Sequence, residues 1–259
     1  MKAIVIGAGR GSRLQHQTDH IPKTMVEVVG RPMLEHILDA LAQAGFARKD
    51  VVFVCGYAED VVRSRYPELT FVRNADYEHN NILASLLCAR DQLQGGFVST
   101  YADIVYEPGI VQRLLAAKED FVLGCDTEWR RRYVGRSQHP ETDAEKLRAD
   151  GRRVTALSRR IPSEAANGEF IGVMKLSAQG ARELCAAFDR AKAEFAGQIF
   201  REGRSFERAY LIDLLAKMLE EGTPMFRENT PGGYMEIDTL EDLELSQRWW
   251  QAWTRSSKS

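Results

Sequence analysis

The chain has 259 residues, 44% hydrophobic and 28% charged, and 35 basic against 37 acidic side chains leave a formal charge of −2. These values suit an α/β domain with a sizeable buried core and exclude collagen-like, disordered and disulfide-scaffold chains. The balanced charge argues against a nucleic-acid partner, and no apolar run approaches the ~20 residues of a membrane span.

The opening run Met1-Lys2-Ala3-Ile4-Val5-Ile6-Gly7 is too short in apolar residues for a signal peptide. Cys55, Cys88, Cys125 and Cys185 lie far apart, without a CxxC pair or a zinc-type Cys/His cluster. Three have apolar neighbours (Val54, Leu87, Leu184), so buried, reduced thiols and a cytoplasmic protein are expected.

In chain order, apolar runs at 3–6, 51–55, 69–72, 97–101 and 121–125 predict buried strands. Between them, 32–44 predicts a helix: Pro32 suits its first turn, Leu34, Ile37, Leu38 and Leu41 share one face, and Gly45 suits the C-terminal cap. Helical periodicity recurs at 81–93 and 110–117. This alternation implies a Rossmann-like, mostly parallel mixed sheet with helices on both faces. Segment 126–168 breaks the rhythm: Arg130, Arg131, Arg132, Arg136, Arg148, Arg152, Arg153, Arg159 and Arg160 interleave with Glu128, Glu141, Asp143, Glu145 and Asp150. One strand is predicted within it, 153–157, and another at 169–175. Helices follow at 178–195, 206–221 and 240–253, the last carrying Trp249, Trp250 and Trp253, before a frayed tail at 256–259. With no linker composition, the expectation is one domain over 1–259 with 126–168 as an inserted lid over the acceptor. The three tryptophans either pack the last helix onto the body or form a homodimer contact.

The first strand runs into Gly7-Ala8-Gly9-Arg10-Gly11-Ser12-Arg13. Glycines allow close backbone approach, and successive N–H groups can cradle phosphate. Ser12 stands where a dinucleotide fingerprint needs its third glycine, which disfavours a Rossmann oxidoreductase, and no Gly-Lys pair supplies a phosphate-loop lysine. Two cations remain, Arg13 and Lys23, the latter after the rigid Pro22. Asp103 follows the 97–101 strand, and Glu236 and Asp238 sit two apart, sharing a face if extended. Mg²⁺ needs few carboxylates because phosphate oxygens and water complete its shell. Asp238 could equally cap the 240–253 helix, and Asn81 the helix at 81–93.

The glycine loop followed by Pro22-Lys23 resembles the signature of nucleotidyltransferases that make sugar nucleotides and CDP-alcohols, with Gly7 in place of the usual first Ala. Gly56-Tyr57, 81–86, 101–105 and 235–242 look like the phosphocholine cytidylyltransferase branch, which includes aminoethylphosphonate cytidylyltransferases. Segments 126–133 and 168–172 look closest to phosphonate-associated members.

The resemblance implies a nucleotide site formed by Ile6, Gly7, Ala8, Gly9, Arg10, Gly11, Ser12, Arg13, Lys23, Asn81, Ser85, Ala102 and Asp103. It assigns Arg13 and Lys23 to catalysis and Asp103, Glu236 and Asp238 to Mg²⁺. The expected partners are CTP and a small phosphonate or phosphoester acceptor, met by Arg130, Arg132, Arg136, Tyr133, Glu169 and Tyr210, because arginine forks suit phosphonate dianions. Val173-Met174-Lys175-Leu176 departs from the aromatic residues of the phosphocholine enzymes, leaving Trp129, Tyr133 and Tyr210 as cage candidates. A sugar-1-phosphate nucleotidyltransferase using another triphosphate is the alternative, and a catalytically silent nucleotide-binding module the third reading.

Overall fold

The computed structural model describes residues 1–256, with side chains through Trp250. In chain order its elements are β1 (Lys2–Ile6), β2 (Glu27–Val28), β3 (Arg31–Pro32), α1 (Met33–Gln43), β4 (Val51–Cys55), α2 (Glu59–Arg65), β5 (Thr70–Arg73), α3 (Ile82–Cys88), β6 (Phe97–Tyr101), β7 (Ile104–Tyr106), α4 (Pro108–Ala116) and β8 (Phe121–Asp126). There follow α5 (Arg130–Tyr133), β9 (Lys146–Asp150), β10 (Arg153–Leu157), β11 (Gly168–Leu176), α6 (Ala178–Phe195), α7 (Leu211–Glu220), β12 (Phe226–Thr230), β13 (Tyr234–Glu236) and α8 (Leu240–Ser256).

Side chains of β1 alternate between two cores. Ala3 and Val5 join Phe53, Leu34, Ile37 and Val111 on one face of the sheet, while Ile4 and Ile6 join Val54, Leu86, Leu184 and Leu214 on the other. Apolar residues on both faces explain why these strands read as continuous hydrophobic runs. Helices α1, α2 and α4 cover the first face, and α3, α6 and α7 the second.

The sheet has nine strands in the order β5-β4-β1-β6-β11-β8-β12-β10-β9. The first four are parallel neighbours. β11 opposes both β6 and β8, so β8 and its parallel partner β12 run with β6, β10 reverses, and β9 reverses again. All but β11 and β10 therefore point one way, which makes the sheet mostly parallel and the fold Rossmann-like α/β. The chain winds outward from β1 through β4 to β5, then returns to β6 on the other side of β1. The crevice at the carboxyl ends of β1 and β6 is thus a topological switch point, where open α/β sheets bind ligands.

Several expectations shift. The helix expected over 81–93 stops at Cys88; a 3₁₀ turn over Arg90–Gln92 takes the chain back towards β6. The one expected over 206–221 starts at Leu211, because Tyr210 takes an extended N-cap conformation after a short 3₁₀ turn. Segment 126–168 contributes two strands rather than one, and β9 and β10 extend the main sheet. Charged residues in β9 (Lys146, Arg148, Asp150) and β12 (Arg227, Glu228) masked these strands from a hydrophobicity reading. Cys55 and Cys125 are buried, but Cys88 is exposed and Cys185 half-buried; all four are free thiols. Trp250 packs edge-on against His36, ring centroids 5.4 Å apart, whereas Trp249 is exposed. The side chain of Trp253 and the tail at 257–259 lie outside the described residues. Among the described residues no helix is long and apolar enough to cross a membrane.

Candidate active site

The loop leaving β1 opens a cavity of about 290 Å³ at the switch point. Ile6, Gly7, Ala8, Gly9, Gly11, Ser12 and Arg13 form one wall, and Lys23, Asn81, Ser85, Ala102 and Asp103 line the rest. Arg10 stands outside it, exposed and paired with Asp19 at 2.9 Å. Two glycines are needed for close approach. A Cβ on Gly7 would lie 2.7 Å from the Phe53 ring and 2.8 Å from Ala102. Gly11 has φ +74°, and a Cβ there would lie 2.7 Å from the aliphatic chain of Lys23. Gly11→Ala is therefore expected to displace Lys23 as well as strain the backbone. Turnover should fall by about tenfold or more while the fold persists, a shift of catalytic geometry that kcat would register.

Asn81 is the N-cap of α3, its Oδ1 accepting from the Ile82 N–H at 2.8 Å, and the residue also lines the cavity. Ser85 is buried and accepts from Asn74 at 2.9 Å.

Asp103 meets Glu236 and Asp238 through topology. β7, directly after Asp103, pairs antiparallel with β13, placing Ile104 opposite Glu236, and the Ile237 N–H donates to the Asp103 carbonyl at 2.9 Å. Lys23 Nζ donates to Asp103 Oδ2 at 2.7 Å and also contacts Asp238 Oδ1; Arg13 Nη2 donates to Asp238 Oδ2 at 2.5 Å. The capping role weighed for Asp238 falls instead to its neighbours. Asp242 Oδ2 accepts from the N–H groups of Asp238 and Thr239, and Thr239 Oγ1 accepts from the Asp242 N–H, a reciprocal box over Thr239-Leu240-Glu241-Asp242. The Asp238 carboxylate is thereby left to the cations.

The electrostatics follow from burial and proximity. Burial alone would depress the Lys23 ammonium, but Asp103 and Asp238 outweigh it and raise its pKa. Burial would raise Asp238, yet Lys23 and Arg13 hold it below the ordinary carboxylate range. Glu236 has no comparable cation; burial, then Asp238 and Asp103, push it well above its usual value. His139, not singled out from the sequence, is buried beside this group with Nδ1 3.0 Å from Asp242 and Nε2 3.6 Å from Glu236. One ligand atom from each of His139, Glu236 and Asp238 lies within 4.8 Å of the others.

A second cavity of about 460 Å³ adjoins the first, sharing Arg13, Asn81, Ile82, Asp103 and Asp238 with it. Of the expected acceptor residues, Glu169 and Tyr210 line it. Arg130, Arg132, Arg136 and Tyr133 do not. Arg130 is exposed, 3.4 Å from Glu141. Arg136 is buried against Asp242 at 2.9 Å. Arg132 is buried under the cavity, bonded to Asp126 at 2.9 Å and to Glu169, with Tyr234 4.2 Å from its guanidinium. Tyr133 donates to Glu169 at 2.7 Å. Arg132→Ala is thus expected to strand two buried carboxylates and cost about 3–5 kcal/mol of stability in a denaturant titration. Of the arginines in 126–168, Arg159 is the one that lines the cavity, beside Arg13 from the loop, and it binds Asp143 at 2.6 Å. Lys175 points away, donating to the carbonyls of Ala117 and Glu119. Trp129 is buried, and the Tyr210 ring carries Arg204 at 4.2 Å and Arg159 at 5.1 Å.

Comparison with known proteins places the chain in a family. The chain is 29% identical over 255 residues to CTP:phosphoglutamine cytidylyltransferase of Campylobacter jejuni, covering 95% of this chain and 98% of that one. It is 36% identical over 107 residues to 2-aminoethylphosphonate cytidylyltransferase of Lancefieldella rimae, covering 40% and 43% respectively. The structure of CTP:phosphocholine cytidylyltransferase from Streptococcus pneumoniae superposes with a TM-score of 0.70 at 20% identity, covering 96% of this chain and 98% of that one. The model of the MobA-like NTP transferase domain matches residues 3–165, spanning β1, the glycine loop, Lys23, Asp103 and most of the Arg-rich segment. The chain therefore belongs to the MobA-like NTP transferase domain family and is a nucleotidyltransferase.

Proposed function

We propose that the protein transfers CMP from CTP to a small acceptor bearing a phosphate or phosphonate group. The carrying observation is the Arg13–Asp238–Lys23–Asp103 network at the junction of two cavities, one walled by the glycine loop and the other by β11 and the 126–168 segment. A triphosphate laid along the loop brings its α-phosphorus to that junction. The N–H groups of Ala8 to Gly11 find no acceptor among the described residues, which leaves them for phosphate oxygens.

An oxygen of the acceptor's phosphoryl group attacks the α-phosphorus; the bond to the bridging oxygen breaks, and pyrophosphate leaves with its electron pair. The nucleophile is already anionic, so no general base is needed. Arg13 and Lys23 offset the developing negative charge, and the two cavities align the reactants. In this reading 126–168 serves as the acceptor lid of a single catalytic domain working in the cytoplasm.

The acidic group fits a divalent cation such as Mg²⁺. Among the described residues Asp103 Oδ1 is buried without a hydrogen-bond partner, and Glu236 lies next to two further carboxylates with His139 Nε2 3.6 Å away. Asp103, Asp238 and Glu236 would hold the ion, with His139 beside them. When bound, it would neutralise triphosphate charge and act as a Lewis acid.

Pyrophosphate release across CTP, UTP, dTTP and GTP, each with phosphonate, phosphoester and sugar-1-phosphate acceptors, tests the proposal. CTP should dominate with the small acceptors; turnover confined to a sugar phosphate and another triphosphate would favour sugar-nucleotide synthesis.

A further inference from the structure

The acidic side chains facing the second cavity are not equivalent. Glu169 is neutralised by Arg132, and Asp143 by Arg159 at 2.6 Å. Asp103, Glu236 and Asp238 belong to the junction with Lys23 and Arg13. Glu145 stands apart. It lines the cavity, yet among the described residues it forms no ion pair, and its Oε2 accepts only from the Tyr101 hydroxyl, at 3.1 Å. The nearby Lys146 ammonium is turned away, donating to the Arg159 carbonyl at 2.7 Å.

The position is fixed by the fold. The Glu145 carbonyl accepts from the Phe170 N–H at 2.8 Å, tying the entry of β9 to β11, and the Tyr101 ring packs edge-on against Phe170 with centroids 6.2 Å apart. A carboxylate withdrawn from water without a cation is costly. Glu145 is half-buried, and desolvation, only partly offset by the Tyr101 hydrogen bond and the more distant Arg159, pushes its carboxyl up to about 8.

Resting on the cytidylyl-transfer reading, we propose that Glu145 is the specificity-determining residue for an acceptor carrying a primary ammonium group at the end opposite its phosphoryl group. The phosphoryl end faces Arg13 at the junction, and the ammonium end supplies the direct ion-pair partner that Glu145 does not have among the described residues, Arg159 acting on it only at longer range. A primary rather than quaternary ammonium fits, because a carboxylate and a phenol oxygen accept N–H donors, whereas the Tyr210 ring is already covered by Arg204 and Arg159. Aminoalkylphosphonates and amino-bearing phosphate esters share this chemistry.

Calorimetric binding to the intact protein without CTP tests the proposal apart from turnover. The ligands are 2-aminoethylphosphonate, O-phosphoethanolamine, 2-hydroxyethylphosphonate and phosphocholine, each with wild type and Glu145→Gln. Wild type should prefer both primary amines over the hydroxyl compound by about 10- to 100-fold, the range for a charge-assisted hydrogen bond. Phosphocholine should bind as weakly as the hydroxyl compound. The preference should collapse towards unity in Glu145→Gln, which a melting curve and retained CTP binding show to be folded.

An unchanged preference in Glu145→Gln, or none in wild type, overturns the assignment. A difference between the two amines decides whether phosphonate or phosphate ester is the natural form. Turnover is scored separately. Amine-selective binding without CMP transfer to any acceptor would overturn the catalytic reading and leave the Glu145 anchor standing. CMP transfer without amine preference would do the reverse.

Discussion

Lys23→Ala is expected to lower kcat for CTP-dependent pyrophosphate release by about 10²- to 10³-fold, the range for removing one preorganised charge-stabilising donor. Lys23 is buried in the wall of the first cavity and reaches at once Asp103 and Asp238, the two carboxylates that line both cavities. Among the described residues its removal leaves Asp103 with no direct ion pair and Asp238 paired with Arg13. The apoprotein should lose about 1–3 kcal/mol, less than for a fully enclosed ion pair, because both carboxylates open onto the cavities. Mg²⁺ should then raise the melting temperature of the variant more than that of wild type, since the ion would occupy a site relieved of its competing ammonium. A folded Lys23→Ala protein with full turnover would remove Lys23 from the catalytic role.

Asp103→Ala is expected to act through the metal. Its Oδ2 shares Lys23 with Asp238, while its Oδ1 is buried and has no hydrogen-bond partner among the described residues. Deleting the carboxylate should lower kcat by about 10²-fold or more and raise the Mg²⁺ concentration for half-maximal rate, as several kcal/mol of transition-state charge stabilisation would depend on metal placement. Stability should change little, because the variant also eliminates an unsatisfied buried acceptor. Mn²⁺ binding followed by electron paramagnetic resonance gives a readout independent of turnover. Equal Mn²⁺ affinity in variant and wild type would place the ion elsewhere.

The difference between what was legible in the sequence and what was not has a physical basis. Strands buried on both faces carry their signal locally, so 51–55 and 97–101 are correctly bounded by composition alone. The glycine loop is also local, and every predicted nucleotide residue except Arg10 lines the first cavity. Polar strands such as β12, Phe226–Thr230, carry no such mark, although β12 sits inside the sheet between β8 and β10.

The second cavity depends on pairings distant in sequence. The β9–β11 contact brings Glu145 to Phe170, and α8 brings Asp242 to His139. No spacing along the chain announces either. Among the arginines of 126–168, chemistry alone favours Arg130, Arg132 and Arg136, but all three pair with carboxylates away from the cavity lining, whereas Arg159, itself paired with Asp143, lines the cavity. The double reading of Asp238 turned on one nearby detail, the Thr239–Asp242 box that releases its side chain from capping.

The most direct test of the central claim follows the label of CTP radiolabelled at the α-phosphorus. With Mg²⁺ and 2-aminoethylphosphonate or another small phosphorylated acceptor, the label should leave CTP and appear in a CMP–acceptor conjugate, with unlabelled pyrophosphate released in equal amount. Retention of the label in CTP with every such acceptor, alongside nucleotidyl transfer from UTP or dTTP to a sugar-1-phosphate, would contradict the account.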